Sequence, residues 1–187
     1  MEKRLEAAIR QVIRFFDDRH YRYALIGGIA LAQWGVVRAT YDADFKVLVP
    51  HLDYAAIRQA IRAAFPAPAR QELPRNPLIV AISVEGVIVD LLLALPGYEE
   101  LIIERAVPRD LGGWQAWICT AEDLIVQKAV AGRDKDWLDV EALLVEQGDR
   151  LDEVYIAGWL SQFAEVLENP ALLPRYRRLL ARATALR

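Results

Sequence analysis

Residues 41–49 limit the fold more than any other part of this chain, because apolar side chains alternate with side chains that are charged at the first three even positions. The odd positions are apolar (Tyr41, Ala43, Phe45, Val47 and Val49), and the even positions are Asp42, Asp44, Lys46 and Leu48. This period of two predicts a β-strand with one buried face. Asp42 and Asp44 then share the other face with their Cα atoms about 6–7 Å apart, so their like charges repel each other.

The composition is that of a folded intracellular protein. The chain has 187 residues, 55% of them hydrophobic and 26% charged, and its net charge of −3 gives no overall attraction to nucleic acid or to an anionic membrane. The N-terminal segment carries charges throughout, unlike a signal peptide, and no apolar run is long enough to span a bilayer. We therefore expect a cytoplasmic protein without a membrane partner.

The metal-binding residue types restrict the kind of metal site that the chain can build. There is one cysteine, Cys119, and there are two histidines, His20 and His51. A cysteine–histidine zinc cluster needs more of these ligands than the sequence offers. Any bound metal is therefore expected to be held by oxygen ligands.

The order of the predicted elements indicates an α+β protein. An amphipathic helix over residues 5–16 precedes a short strand, "YALI", and a hairpin is predicted around Glu85 and Gly86, with Asp90 in its second strand. From Thr120 onward the sequence shows only helical patterns, the first with capping-type spacing of Thr120 and Asp123. We predict a small mixed sheet flanked by helices over residues 1–120 and a helical bundle over residues 121–187.

Three aspartates in predicted strands, Asp42, Asp44 and Asp90, are the main chemical signal. Converging buried carboxylates need a cation, and Mg²⁺ is a hard ion that shares carboxylate ligands with substrate phosphates. This set therefore favours phosphoryl chemistry. The alternative is structural: Asp42 lies in a turn, Asp44 lies at a sheet edge, and Asp90 pairs with an arginine.

A glycine pair, Gly27 and Gly28, follows the first predicted strand directly. Without a Cβ atom, such residues let backbone N–H groups approach a phosphate where a strand turns into a helix. A pair of glycines is also common in turns that bind nothing. Both interpretations remain open from the residues alone.

The motifs in this order resemble the minimal nucleotidyltransferase superfamily of the polymerase-β type, and within it the AbiEii-like toxins and related bacterial nucleotidyltransferases. The resemblance is carried by "LIGGIALAQWGVVRATYDADFKVLV", then "VDLLLA", then "EDLIVQKAVAGRDKDWLDVEALL". It implies a mixed sheet flanked by helices and transfer of a nucleoside monophosphate from a nucleoside triphosphate to an acceptor hydroxyl. Mg²⁺ or Mn²⁺ is the implied metal, and an antitoxin protein is an implied partner.

The resemblance also implies roles for individual residues. Asp42, Asp44 and Asp90 match the metal-binding catalytic carboxylates, with Asp90 helping to deprotonate the acceptor hydroxyl, and Gly27 and Gly28 match the phosphate-contacting turn. Two departures are present: Ile29 and Ala30 stand where many members have a serine, and Lys46 lies on the charged face of the strand. Lys46 could pair with Asp44 or meet a substrate phosphate.

Three further residues, Arg38, Thr40 and Lys128, are assigned to nucleotide binding by the same resemblance. The alternative for Arg38 is a salt bridge to Asp42 or Asp44, and the alternative for Lys128 is an exposed surface position. Asp136 and Asp139, one helical turn apart, could orient Lys128 or Arg133. They could equally favour the helix dipole as N-terminal acids.

The only indication of the molecule that accepts the nucleotide is the charge of the C-terminal stretch. Arg175, Arg177 and Arg178 lie in a C-terminal stretch that contains no acid, so they are candidates for binding an RNA acceptor. A solvated basic surface helix is the plainer interpretation. Two other functions stay open: a catalytically inactive relative that binds nucleotide or a partner, and a small-molecule (antibiotic) nucleotidyltransferase.

Overall fold

The computed structural model describes residues 2–68 and 76–186. Within these ranges the helices are α1 (Lys3–Asp18), α2 (Gly27–Gln33), α3 (Tyr54–Ala64), α4 (Tyr98–Glu104), α5 (Ala121–Ala131), α6 (Asp134–Gln147), α7 (Glu153–Val166) and α8 (Leu172–Ala185). The strands are β1 (Tyr23–Ile26), β2 (Asp42–Val47), β3 (Ile79–Val84), β4 (Val87–Leu93), β5 (Val107–Asp110) and β6 (Gln115–Ile118). The predicted α+β class is confirmed. None of the described helices combines the length and the apolar character of a membrane span.

The chain forms two compact units. Unit 1 comprises the residues up to Ile29 together with Ala39–Cys119, and unit 2 comprises Ala30–Arg38 together with the chain from Thr120 onward. The division between Cys119 and Thr120 lies next to the predicted domain boundary. The sequence prediction placed Ala30–Arg38 in the first domain, whereas the structure groups this segment with unit 2.

Unit 1 contains the whole sheet, in the strand order β3-β4-β2-β1-β6-β5. The hairpin pairs β3–β4 and β5–β6 are antiparallel, as is β1–β2, while β2–β4 and β1–β6 are parallel. Because β2 and β4 run in the same direction in the middle of the sheet, equivalent positions on them point to the same face. The sheet is therefore mixed, as predicted.

The apolar face of this sheet is covered by α1. The helix buries side chains spaced three and four residues apart, and its Phe16 ring lies 5.5 Å from Phe45 and 5.3 Å from Tyr23 between ring centroids. Phe45 belongs to the apolar set that the alternation over residues 41–49 predicts, and Tyr23 on β1 is buried beside it. The carboxylates of β2 consequently occupy the opposite face.

Unit 2 consists of the C-terminal helices and the segment before β2. Helix α5 begins at its cap residue Thr120, whose hydroxyl accepts a hydrogen bond from the Asp123 N–H at 3.2 Å, and it ends at Gly132 in the left-handed conformation (φ +71°). The hydroxyl of Tyr155 on α7 donates to the Asp123 carboxylate at 2.6 Å. Helices α5, α6, α7 and α8 pack on one another, as the predicted bundle requires.

Helix α4 and strand β5 were not anticipated from the sequence. Each is short, seven and four residues respectively, and β5 alternates only weakly between apolar and polar residues. Strand β5 is formed through pairing with β6 at the edge of the sheet, and α4 packs on β1 and β2. Both elements depend on tertiary contacts, which local sequence patterns do not record.

Candidate active site

The carboxylates of β2 and β4 lie side by side on one face of the sheet. In the parallel pairing of these strands Asp44 is the direct partner of Asp90, and Asp42 lies two positions earlier on β2. Neighbouring strands are about 4.8 Å apart, so the side chains of Asp44 and Asp90 are adjacent. The register therefore brings together the three aspartates that the sequence analysis singled out.

These three carboxylates remain open to solvent to different degrees. Asp42 is exposed, while Asp44 and Asp90 are half-buried. The Thr40 hydroxyl donates a hydrogen bond to the Asp42 carboxylate at 3.0 Å. Thr40, which was predicted to bind nucleotide, thus orients an aspartate in this structure.

The three aspartates are also the residues at which the sequence analysis predicts a metal. Within residues 2–68 and 76–186, no group of three or more histidine, cysteine, aspartate or glutamate side chains has the arrangement of a metal site. The chemistry of the donors nevertheless suits a hard divalent cation, because they are carboxylates from adjacent strand positions on one face. Binding of Mg²⁺ or Mn²⁺ by Asp42, Asp44 and Asp90 stays a prediction.

The glycine pair lies where β1 ends and α2 begins, directly against this face. Gly27 has a φ of +64°, and a methyl group on its Cα atom would overlap the Asp44 carboxylate. A Cβ atom on Gly28 would lie 2.6 Å from the Thr40 hydroxyl oxygen. Both positions need glycine because neighbouring side chains occupy the space that a Cβ atom would fill. The turn and the aspartates therefore form one continuous surface of unit 1.

Lys46, the unexpected cation on the charged face, has a partner that the sequence did not reveal. It is only 4% exposed and forms a salt bridge with Glu99 on α4. The second carboxylate oxygen of Glu99 accepts the Leu95 N–H at 2.8 Å. In this structure Lys46 thus pairs with Glu99 of α4, which was missed because α4 was not predicted.

A second cluster of charges lies within unit 2 around Lys128. This lysine is 7% exposed, and its ammonium group donates to the Asp139 carboxylate at 2.6 Å and lies 3.5 Å from the Asp136 carboxylate. The Arg38 guanidinium lies 3.7 Å from the same Asp139 oxygen that Lys128 contacts. Lys128 is therefore an enclosed residue and not an exposed surface lysine, and Arg38 is joined to Asp139.

Asp136 is held by Arg133 from one turn before it. The Arg133 side chain contacts both Asp136 oxygens, at 2.5 and 3.1 Å. Burial by itself raises the pKa of Asp136, but the hydrogen bonds and charges of Arg133 and Lys128 outweigh burial and lower the pKa below its ordinary value. Asp136 is therefore ionised at neutral pH.

The C-terminal arginines are not as free of acids as their local sequence indicates. The Arg175 guanidinium lies 4.5 Å from the centre of the Trp137 ring and 4.0 Å from Asp134, and Arg182 lies 3.1 Å from Glu141. Arg178 lines the same groove between α6 and α8, which has a volume of about 430 Å³. Helix α6 thus supplies acids that the sequence of α8 lacks.

The comparisons with known proteins identify the fold. An antigenic nucleotidyltransferase-like protein from Paracoccidioides brasiliensis superimposes with a TM-score of 0.52 at 15% identity, over 93% of this chain and 91% of that chain. The chain has a nucleotidyltransferase-like fold. No protein-family model matches the sequence, and a search of curated proteins gives no match.

Two structures of the antibiotic-resistance factor ANT(2'')-Ia show the same nucleotidyltransferase-like fold. Its solution structure gives a TM-score of 0.57 at 15% identity, with 88% of this chain and 95% of that chain covered. Its crystal structure in complex with adenylyl-2''-tobramycin gives 0.55 at 16% identity, with 83% and 97% covered. At these identities the likeness concerns the fold.

Proposed function

We propose that this protein transfers a nucleoside monophosphate from a nucleoside triphosphate to an acceptor hydroxyl, with Asp42, Asp44 and Asp90 as its catalytic carboxylates. The observation that carries this proposal is the register that places Asp44 beside Asp90 on one face of a nucleotidyltransferase-like sheet. The partial exposure of these carboxylates leaves them accessible to a substrate. Since nucleoside triphosphates are a cytoplasmic pool, we also propose that the reaction takes place there.

Each residue of this surface has a distinct task in the proposed reaction. Bound Mg²⁺ or Mn²⁺ would neutralise the triphosphate and the pyrophosphate that leaves. Asp90 accepts the proton of the attacking hydroxyl, and Thr40 orients Asp42 through its hydrogen bond. Gly27 and Gly28 offer backbone N–H groups to the phosphates without a side chain in the way.

The acceptor that we propose first is RNA, because Arg177 and Arg178 add positive charge to α8 in a chain that is acidic overall. An RNA acceptor would fit a toxin of the AbiEii-like type that is held in check by an antitoxin protein. A small-molecule hydroxyl is the second candidate, favoured by the fold likeness to ANT(2'')-Ia.

The proposal is tested by incubating the purified protein with Mg²⁺, each α-labelled nucleoside triphosphate, and either total cellular RNA or tobramycin. We expect label to be transferred to one acceptor by the wild type and not by the Asp44→Asn variant. Asp18→Asn, which alters an exposed aspartate on α1, is the matched control and should retain full transfer. Triphosphate binding without transfer to any acceptor would instead support an inactive nucleotide-binding relative.

The glycine turn has its own test within the same function. We expect Gly28→Val to weaken triphosphate binding in the presence of Mg²⁺, because the added side chain meets the Thr40 hydroxyl and covers the turn. Calorimetry on the two proteins measures this difference. Equal affinities would show that the turn is not the phosphate site.

A further inference from the structure

A cavity of about 350 Å³ lies at the start of β1, at the end of the strand away from the glycine turn. It is enclosed by the end of α1, the start of β1, the end of α4 and strand β6, all of which belong to unit 1. Its polar and aromatic lining residues are Asp17, Tyr21, Arg22, Tyr23, Glu104 and Trp117. A cavity of this size is at the lower end of the range for small-molecule sites, so it suits a small ligand with a single ring.

The cavity is separate from the aspartate surface of β2 and β4. Tyr23 begins β1 opposite Val47, whereas Asp44 lies opposite Ile26, three positions further along β1 and thus about 10 Å away. The Tyr23 ring packs on Phe16 of α1, the helix that covers the apolar face of the sheet. A molecule in the cavity is therefore held by residues other than those assigned to nucleotidyl transfer.

The rim of the cavity is charged. The carboxylates of Asp17 and Glu104 and the guanidinium of Arg22 belong to exposed residues, and two negative charges against one positive charge leave a net charge of −1. Within residues 2–68 and 76–186, none of these three side chains forms an ion pair. A ligand with one positive charge balances this rim.

The interior of the cavity is aromatic. Tyr23 is 5% exposed, and burial raises its pKa to about 12, while a hydrogen bond from the Trp117 backbone lowers the pKa and the Asp17 charge raises it. The Tyr23 hydroxyl thus keeps its proton at neutral pH. The ring of Tyr21 is held edge-on against Phe15, with 6.2 Å between the ring centroids.

Trp117 presents the largest ring of the lining, and the residue is 49% exposed. A half-exposed indole gains from contact with a ligand, because apolar surface is then removed from water. Aromatic faces stack on other rings and attract cations, and the indole face attracts them most strongly. The cavity therefore combines an aromatic wall with a rim of negative net charge.

We propose that this cavity binds an aryl ammonium compound, a small molecule that carries a protonated amine and an aromatic ring. The ammonium group donates hydrogen bonds to the rim carboxylates of Asp17 and Glu104, and the ring contacts Trp117 and Tyr23. This site is independent of the proposed function, because its ligand touches none of the residues assigned to the reaction.

Three compounds with the same phenol ring and different charges test the class of ligand. At neutral pH tyramine is a cation, para-ethylphenol is neutral and para-hydroxyphenylpropionate is an anion. In NMR titrations of the full chain, we expect tyramine to bind at least tenfold more tightly than the other two and to shift the indole signal of Trp117, which is identified by its loss in Trp117→Phe. Equal or tighter binding of the neutral or anionic compound would overturn the proposal.

The rim carboxylates are tested by substitutions on exposed positions, which should not disturb folding. We expect Asp17→Asn to weaken tyramine binding about tenfold, the effect of losing one charged hydrogen bond. Asp18→Asn removes the same charge from the next position of α1, outside the cavity lining, and should leave the affinity unchanged. The double variant Asp17→Asn with Glu104→Gln should lose the preference for tyramine over para-ethylphenol. A double variant that keeps this preference would contradict the role of the rim.

Two further variants locate the bound amine. Asp44→Asn should bind tyramine as the wild type does, and a weaker affinity would place the cation at the aspartate surface and overturn the cavity site. Arg22→Gln removes the positive charge of the rim and should tighten tyramine binding about twofold, as expected for an exposed charge. Weaker binding by Arg22→Gln would show that the arginine holds the ligand, which is incompatible with a simple ammonium ligand.

Discussion

The acidic residues described in unit 1 and in unit 2 differ in how far they are buried. In unit 2, Asp136 and Asp139 are enclosed, and lysine and arginine side chains of the chain itself lie within 2.5 to 3.7 Å of their oxygens. In unit 1, Asp42 is exposed and Asp44 and Asp90 are half-buried on neighbouring strands. An enclosed carboxylate must be neutralised internally, whereas a partly open one stays accessible to a cation and a substrate. The two clusters should therefore respond differently to substitution.

The largest expected effect is the loss of transfer when an open carboxylate is removed. If Asp44 has the proposed role of a metal ligand, Asp44→Asn should lower kcat/KM for nucleotidyl transfer about a thousandfold, because losing such a ligand costs several kcal/mol of transition-state stabilisation. Its cost in stability should be smaller than that of removing an enclosed carboxylate, since Asp44 is only half-buried. Labelled-triphosphate kinetics and urea unfolding measure both. A strongly destabilised variant would mean that the two clusters do not differ in the way described.

Replacing an aspartate of the enclosed cluster in unit 2 should mainly lower stability. Asp136→Ala leaves Lys128 and Arg133 without one of their acids, and removing one partner of a buried ion pair costs about 3–5 kcal/mol. We expect urea unfolding to show a loss of this size. Asp134→Ala, two residues earlier and fully exposed, should cost less than about 1 kcal/mol. Equal losses of unfolding free energy in the two variants would show that burial of Asp136 does not raise the cost of removing it.

The pH dependence of stability sharpens the same contrast. Because the pKa of Asp136 is lowered in the folded state, its contribution to stability is present above the unfolded value of about 3.9 and is lost as the pH falls through the folded value. The wild type should therefore lose more stability between about pH 5 and pH 2 than Asp136→Asn does. Thermal unfolding across this range measures the stability of both proteins. If their stabilities fall in parallel with pH, the pKa of Asp136 is not lowered in the folded state.

A smaller effect is expected at the turn beside the open carboxylates. Gly27→Ala places a side chain at a positive φ, at a cost of about 1–2 kcal/mol, and also against the Asp44 carboxylate. Gly86→Ala is the matched control: its φ is +76°, and no atom lies within 4 Å of the added methyl group. We expect Gly27→Ala to lower the free energy of unfolding, measured in urea, by more than Gly86→Ala does. Equal losses would show that Asp44 moves aside freely.

The smallest effect is expected on the exposed arginines of α8. Arg175→Gln removes the contact with the Trp137 ring and should cost about 0.5–1 kcal/mol. Arg177→Gln, on an exposed position without a described partner, should change stability by less than about 0.5 kcal/mol. Urea unfolding measures both. A larger loss from Arg177→Gln would show that this arginine has a structural task.

Two arginines of α8 also test the proposed acceptor. If RNA binds along α8, replacing Arg177 and Arg178 by glutamine should reduce the salt dependence of RNA labelling by about one unit of slope for each lost phosphate contact. Binding of triphosphate should not change. Unaltered labelling and salt dependence would favour the small-molecule acceptor.

Sequence patterns predicted secondary-structure elements and identified the candidate functional residues. The alternation in residues 41–49 predicted the strand and the common face of Asp42 and Asp44, and the capping pattern at Thr120 predicted the start of α5. These predictions succeeded because a strand or a helix repeats its side-chain direction at a fixed local period. The mixed α+β fold followed from the order of these elements.

Tertiary structure decided which side chains meet. The pairing of Asp44 with Asp90 depends on the register of β2 against β4, and no local pattern contains a register between strands more than 40 residues apart. The salt bridge of Lys46 with Glu99 joins two residues that are 53 positions apart in the sequence. The contact of Arg38 with Asp139 spans 101 positions. A sequence records which charges are available, but burial decides which of them must be paired inside the protein, because only an enclosed charge loses its water.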